Sequence, residues 1–89
     1  MTPDNIPAFA RGVKFRFDET RQAWIVLSPE KLFLPDEHAV AVLGLVDGAR
    51  SVGDIVSALA LQYDAPRAAI ATDVEAMLDC LMVKGVIRT

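Results

Sequence analysis

In a chain of 89 residues with one cysteine and one histidine, the groups that could carry chemistry are few, and their spacing brings none of them into a catalytic set. Cys80 lies among Met77, Leu78, Leu81 and Met82 without the basic neighbours that make a thiol nucleophilic, so it reads as a small buried hydrophobe. His38 has no cysteine or second histidine at ligand spacing, which argues against a metal site. No glycine-rich phosphate loop, no Cys-x-x-Cys pair and no serine with a base in reach are present, so neither an enzyme nor a cofactor is expected. What remains is chemistry of the main chain. The run Glu30-Lys31-Leu32-Phe33-Leu34-Pro35 is a short apolar stretch bounded by Pro29 and Pro35. Proline cannot donate to a ladder, so proline-bounded strands are short or lie at sheet edges. Lys31, Leu32, Phe33 and Leu34 are then either an internal strand covered by the protein itself or an edge that an extended peptide could lengthen.

The elements that must position this run divide the chain in two. In 11–17 the apolar Val13, Phe15 and Phe17 alternate with Gly12, Lys14 and Arg16, which is strand periodicity. After the polar Asp18-Glu19-Thr20-Arg21 turn, 22–27 carries Trp24, Ile25, Val26 and Leu27 and completes an antiparallel hairpin. Trp24 reads as a core or hairpin-packing residue. The third strand covers 31–34, with Leu32 and Leu34 on one face and Lys31 and Phe33 on the other.

Three helices follow. The first, over 36–46, begins with Pro35-Asp36-Glu37, repeats Ala39, Val42, Leu43 and Val46, and stops at Asp47-Gly48. The second, over 52–63, opens on Ser51-Val52-Gly53-Asp54, a capping box with Asp for the usual Glu, and carries the stripe Val52, Ile55, Val56, Leu59 and Tyr63. The third, over 66–84, has Ile70, Val74, Met77, Leu78 and Leu81 on its apolar side and ends at Lys84-Gly85. Residues 86–89 form a last extended piece. The first ten residues, with Pro3 and Pro7 and no period, are expected to be an extended or loose arm before a single domain over 11–89.

The sum is an α+β fold, an N-terminal three-stranded antiparallel sheet followed by a three-helix bundle, laid out like a winged helix-turn-helix. Its charge argues against the DNA binding such a layout suggests. Through Lys31 five basic residues stand against four acidic ones, whereas from Leu32 onward four face eight, and the third helix presents Asp73, Glu75 and Asp79. A winged-helix DNA-binding or regulatory protein is the competing reading. A single cysteine, no apolar run near the roughly 20 residues of a membrane span and no basic signal-like start point to the cytoplasm. An edge that accepts a peptide also accepts a copy of itself, so both a monomer and a homodimer exchanging its N-terminal hairpin are compatible with the sequence.

Arg11-Gly12-Val13, Phe17-Asp18, Trp24, Leu27-Ser28-Pro29-Glu30, Asp47-Gly48, Ser51-Val52 with Ile55, and Lys84-Gly85-Val86 together resemble PqqD, the small protein family of pyrroloquinoline quinone (PQQ) biosynthesis, from about Ile6 to Ile87. The resemblance implies a peptide chaperone, a RiPP recognition element, that binds the precursor peptide PqqA and presents it to the radical S-adenosylmethionine enzyme PqqE. It also implies that the peptide adds as a strand along Lys31, Leu32, Phe33 and Leu34, in a groove whose other wall is the third helix. Arg67, Ile70, Val74 and Met77 are the groove residues expected there, with Arg67 available to an acidic peptide residue and Met77 adaptable in shape.

Overall fold

The computed structural model describes Met1–Thr89. Its elements are β1 (Ala8–Phe9), β2 (Lys14–Asp18), β3 (Ala23–Leu27), β4 (Leu32–Phe33), α1 (Glu37–Leu43), α2 (Val52–Tyr63), α3 (Arg67–Val83) and β5 (Ile87–Arg88). The strands β2, β3 and β4 form an antiparallel sheet in that order, and β1 pairs antiparallel with β5 in a second, two-stranded one. The α+β class, the three-stranded sheet and the three helices match the sequence expectation.

Strand ends are set by residues that leave the extended region. Gly12, at φ +81°, turns the chain before β2, so the strand starts at Lys14 rather than residue 11. A Cβ there would also lie 3.2 Å from the Pro29 side chain. Gln22, at φ +54°, belongs to the hairpin turn and β3 starts after it. The register Phe15↔Val26 and Phe17↔Trp24 places three aromatics on one face. Trp24 stacks on Phe15 at 4.9 Å and meets Phe17 edge-on at 5.7 Å, so it is a hairpin-packing residue and remains 41% exposed. At the end of β2 the buried Asp18 binds Arg21 at 2.8 Å and the Thr20 N–H at 3.0 Å. The Arg21 hydrogen bond, outweighing burial, holds this carboxyl below its usual range.

Helix α1 is shorter than its apolar pattern suggests. Asp36, not Pro35, is its boundary, capping the Ala39 N–H at 2.8 Å. Past Leu43 the chain tightens, with Leu45 and Val46 bonding three residues back, while Val46 still reaches the core. The capping box on α2 forms in both directions. Val52, Ile55, Val56 and Leu59 are buried as the stripe requires, whereas Tyr63 is 44% exposed at the helix end. Helix α3 ends in a Schellman motif, with Val86 bonding to Leu81, Gly85 to Met82, and Gly85 at φ +78°. That motif drives Val86 and Ile87 into the core beside Val26, Leu43, Val74 and Leu78.

The first ten residues are tied down rather than loose. Pro7 is fully buried, Ala8 and Phe9 pair with Arg88 and Ile87, and Ala10 bonds to Val86 at 2.9 Å. Ahead of them the carbonyls of Pro3 and Asn5 accept the Gly53 and Val52 N–H groups at 3.0 and 2.8 Å. These donors belong to the first turn of α2 and have no partner inside the helix, so the arm serves as a second cap.

Candidate functional site

Strand β4 is an edge of its sheet, and its hydrogen-bond phase decides which groups are free. The Ser28 N–H donates to the Lys31 carbonyl at 2.9 Å, making 28 and 31 a bonded pair across the Pro29-Glu30 turn. The Ser28 hydroxyl reinforces the turn by accepting from the Lys31 N–H and donating to its carbonyl, both at 3.0 Å. Bonded and non-bonded pairs alternate in an antiparallel ladder. Leu27↔Leu32 is therefore non-bonded and Val26↔Phe33 bonded. The N–H and C=O of Leu32 thus point away from β3, toward the side where no further strand lies. Phe33 is committed inward by its main chain and packs its half-buried ring on the core.

A cavity of about 450 Å³ runs between this strand and α3. Phe33 and Leu34 form one wall. Met77, Cys80, Leu81 and Lys84 form the other, one i, i+3, i+4, i+7 face of α3. Val26, Leu43 and Val86 close the bottom, and the Lys84 ammonium stands 5.9 Å from the centroid of the Phe33 ring. Leu34 is 63% exposed and Leu32 39%, so a run of large apolar side chains borders the groove without internal cover. A second cavity, about 530 Å³, adjoins the first and lies between α1, the end of α2 and α3. The two share Asp36, Ala76 and Met77.

The residues anticipated from sequence separate into three places. Phe33, Leu34 and Met77 line the strand groove, with Leu32 presenting its main chain beside it and Lys31 closing the turn. Ile70 and Val74 lie farther along α3 and line the second cavity; Val74 is at the same time a core residue, only 2% exposed. Arg67 faces neither cavity. Its guanidinium donates to the Ser57 hydroxyl and, at 3.4 Å, to the Gly53 carbonyl, which braces the start of α3 against α2. Cys80 was expected to be buried and is exposed, because it sits on the groove face of α3 rather than on the Val74–Leu78 stripe. Cys80, Leu81 and Lys84 were missed as groove residues, although stepping from Met77 by helical intervals finds all three. His38, exposed on α1, borders the second cavity with Tyr63.

The profile of the PqqD family, described as coenzyme PQQ synthesis protein D, matches residues 23–87. A "PqqA binding protein" of Rhodopseudomonas palustris (strain BisB5) is 56% identical over 79 residues, which cover 89% of this chain and 78% of that one. The chain belongs to the PqqD family. Two solved PqqD structures extend the match to the fold. The solution NMR structure of the PqqD truncation of Methylobacterium extorquens PqqCD, described as a functional, stand-alone RiPP recognition element, superposes with a TM-score of 0.84 at 42% identity, covering 100% of this chain and 95% of that one. The crystal structure of PqqD from Xanthomonas campestris gives 0.63 at 32% identity, covering 100% and 99%. PqqD membership makes this chain a binding protein of PQQ synthesis rather than an enzyme.

Proposed function

We propose that this PqqD chain is a peptide chaperone that binds the precursor peptide PqqA as a fourth strand on the outer edge of β4 and presents it to the radical S-adenosylmethionine enzyme PqqE. The observation that carries the reading is the outward-facing N–H and C=O of Leu32 beside an apolar groove walled by α3. An extended peptide laid there exchanges main-chain hydrogen bonds with Leu32 whatever its sequence. Its alternate side chains point toward Phe33, Leu34 and Met77, so selectivity resides in the groove. Ile70 and Val74 continue the apolar lining, and Arg67 acts through α2 by holding α3 at the right distance. Ordering the peptide before the modifying enzyme acts removes part of the entropy that enzyme would otherwise have to overcome. The winged-helix-like layout then serves a peptide rather than DNA, in keeping with the exposed Asp73 and Asp79 on α3. The same role fits a cytoplasmic location, and no helix is long and apolar enough to cross a membrane.

Titration of isotope-labelled protein with PqqA tests this. Amide shifts should concentrate in Lys31–Leu34 and on the Met77–Lys84 side of α3. Shifts confined to the hairpin tip or to α2, or saturable binding of duplex DNA in place of PqqA, would overturn the reading.

A further inference from the structure

The two cavities form one continuous track along α3, and its ends carry opposite charge. At the β4 end stands Lys84, whose ammonium has no carboxylate within ion-pair distance and rests over the Phe33 ring. At the other end Asp73 lines the second cavity, while Asp36 borders both cavities at their junction. Asp36 uses one carboxylate oxygen to cap α1, and Asp73 is exposed with no hydrogen-bond or ion-pair partner in the chain. Between the poles, apart from Asp36, the lining is apolar, with Phe33, Leu34, Met77 and Val74, and Ile70 continues it past Asp73. Such a surface recognises a peptide of opposite polarity and disfavours the reversed one, since like charges in contact would lose their water without compensation.

We infer that the cavity between α1 and α3 is a second side-chain subsite for the same peptide. It takes a large apolar side chain with a cationic neighbour held by Asp73, while Lys84 at the far end takes an acidic residue of the peptide. The helix fixes the spacing. Asp73 and Lys84 are eleven residues apart on α3, which at about 1.5 Å per residue is roughly 16 Å. An extended peptide advances about 3.3 Å per residue, so the two charged peptide residues lie about five positions apart. The volume of the second cavity, about 530 Å³, is ample for a leucine-sized or aromatic side chain. This inference rests on strand addition at β4 and adds a direction and register to it.

The test is a charge-reversal cycle. The affinity of the full-length chain for PqqA is measured by calorimetry for the unmodified protein, Asp73→Lys and Lys84→Glu. Each is set against PqqA and against PqqA variants in which single Lys or Arg residues become Glu and single Asp or Glu residues become Lys. Each substitution should weaken binding of unmodified PqqA roughly three- to tenfold, and each should be rescued by one reversed peptide position. The two rescuing positions should lie about five residues apart. Ala41→Leu, which narrows only the second cavity, should lower affinity for PqqA and erase the effect of trimming the apolar neighbour to Ala. Melting curves establish that each variant is folded. Effects below twofold, absence of any rescuing position, or rescuing positions adjacent in the peptide would overturn the inference. If the β4 amides still respond to PqqA in that case, strand addition stands and only the polarised track falls; if they do not respond, both fall.

Discussion

Leu32→Pro separates the two jobs of β4, being a strand of this protein and being an edge for another. The ladder phase set by the Ser28–Lys31 bond leaves the Leu32 N–H unused by β3, so proline removes no internal hydrogen bond. Its φ suits extended backbone, and the side chain it replaces is 39% exposed. The cost to the fold should stay below about 1 kcal/mol, a melting shift of at most about 4–8 °C for a domain of this size. A bound peptide, by contrast, loses a main-chain donor. One net amide–carbonyl bond is about 0.5–1.5 kcal/mol, or roughly two- to twelvefold in Kd, and the ring protruding from the edge adds steric exclusion. The control is Phe33→Pro, one residue on. There the N–H belongs to the bonded pair with Val26 and the ring packs on the core, so about 3 kcal/mol or more of stability should go. Calorimetric titration with PqqA and thermal melts of both variants give the readout. Unchanged affinity in a folded Leu32→Pro protein would refute strand addition at this edge, and a Leu32→Pro protein that melts like Phe33→Pro would refute the assigned hydrogen-bond phase.

Three further outcomes follow from the geometry. Leu78→Ala empties a site that is 0% exposed at the centre of the α3 packing and should cost about 2–5 kcal/mol in denaturant unfolding. Ser51→Ala removes the acceptor for the Asp54 N–H and opens the capping box on α2, which should cost about 1 kcal/mol in the same assay; no change would show that the N-terminal arm alone caps that helix. The Asp18 carboxyl is held below the ordinary aspartate range chiefly by the Arg21 hydrogen bond, so its contribution is present above that range and is lost as pH falls through the lower folded-state value. Asp18→Asn should therefore be less stable than the parent at pH 7, and its melting temperature should fall less steeply than the parent's in acid. Parallel curves would contradict this role.

Legibility followed periodicity. The stripe on α2 and its capping box were readable because one helix face meets one core and Ser51 and Asp54 are neighbours in sequence. On α3 two faces serve two purposes. The Val74–Leu78 stripe announces itself by hydrophobicity, whereas the groove face mixes Met77, Cys80 and Leu81 with Lys84 and blends into it. Arg67 lies near the groove in sequence terms, but the helix turn carries it toward Ser57 and Gly53. The arm was least legible. Two-residue strands have no period to detect, and its helix-capping partners are the carbonyls of Pro3 and Asn5, which every residue type possesses. The early end of α1 escaped for a related reason, since Val46 stays buried after the helix has given way to turns.

The pairing of β1 with β5 bears on the order in which the molecule assembles. Nearly the whole chain lies between Ala8 and Arg88, so this contact closes the longest loop in the fold and returns only two residue pairs of ladder. Loop-closure entropy makes such a contact late to form and early to open, whereas the β2–β3 hairpin and the α2–α3 pair depend on near neighbours. Amide exchange at Ala8 and Ala10, the ladder donors of this seam, should accordingly run ahead of exchange at Val26 and Leu78. Transient opening of the seam would free the arm from the first turn of α2 while the Leu32 edge and the groove beside it stay assembled.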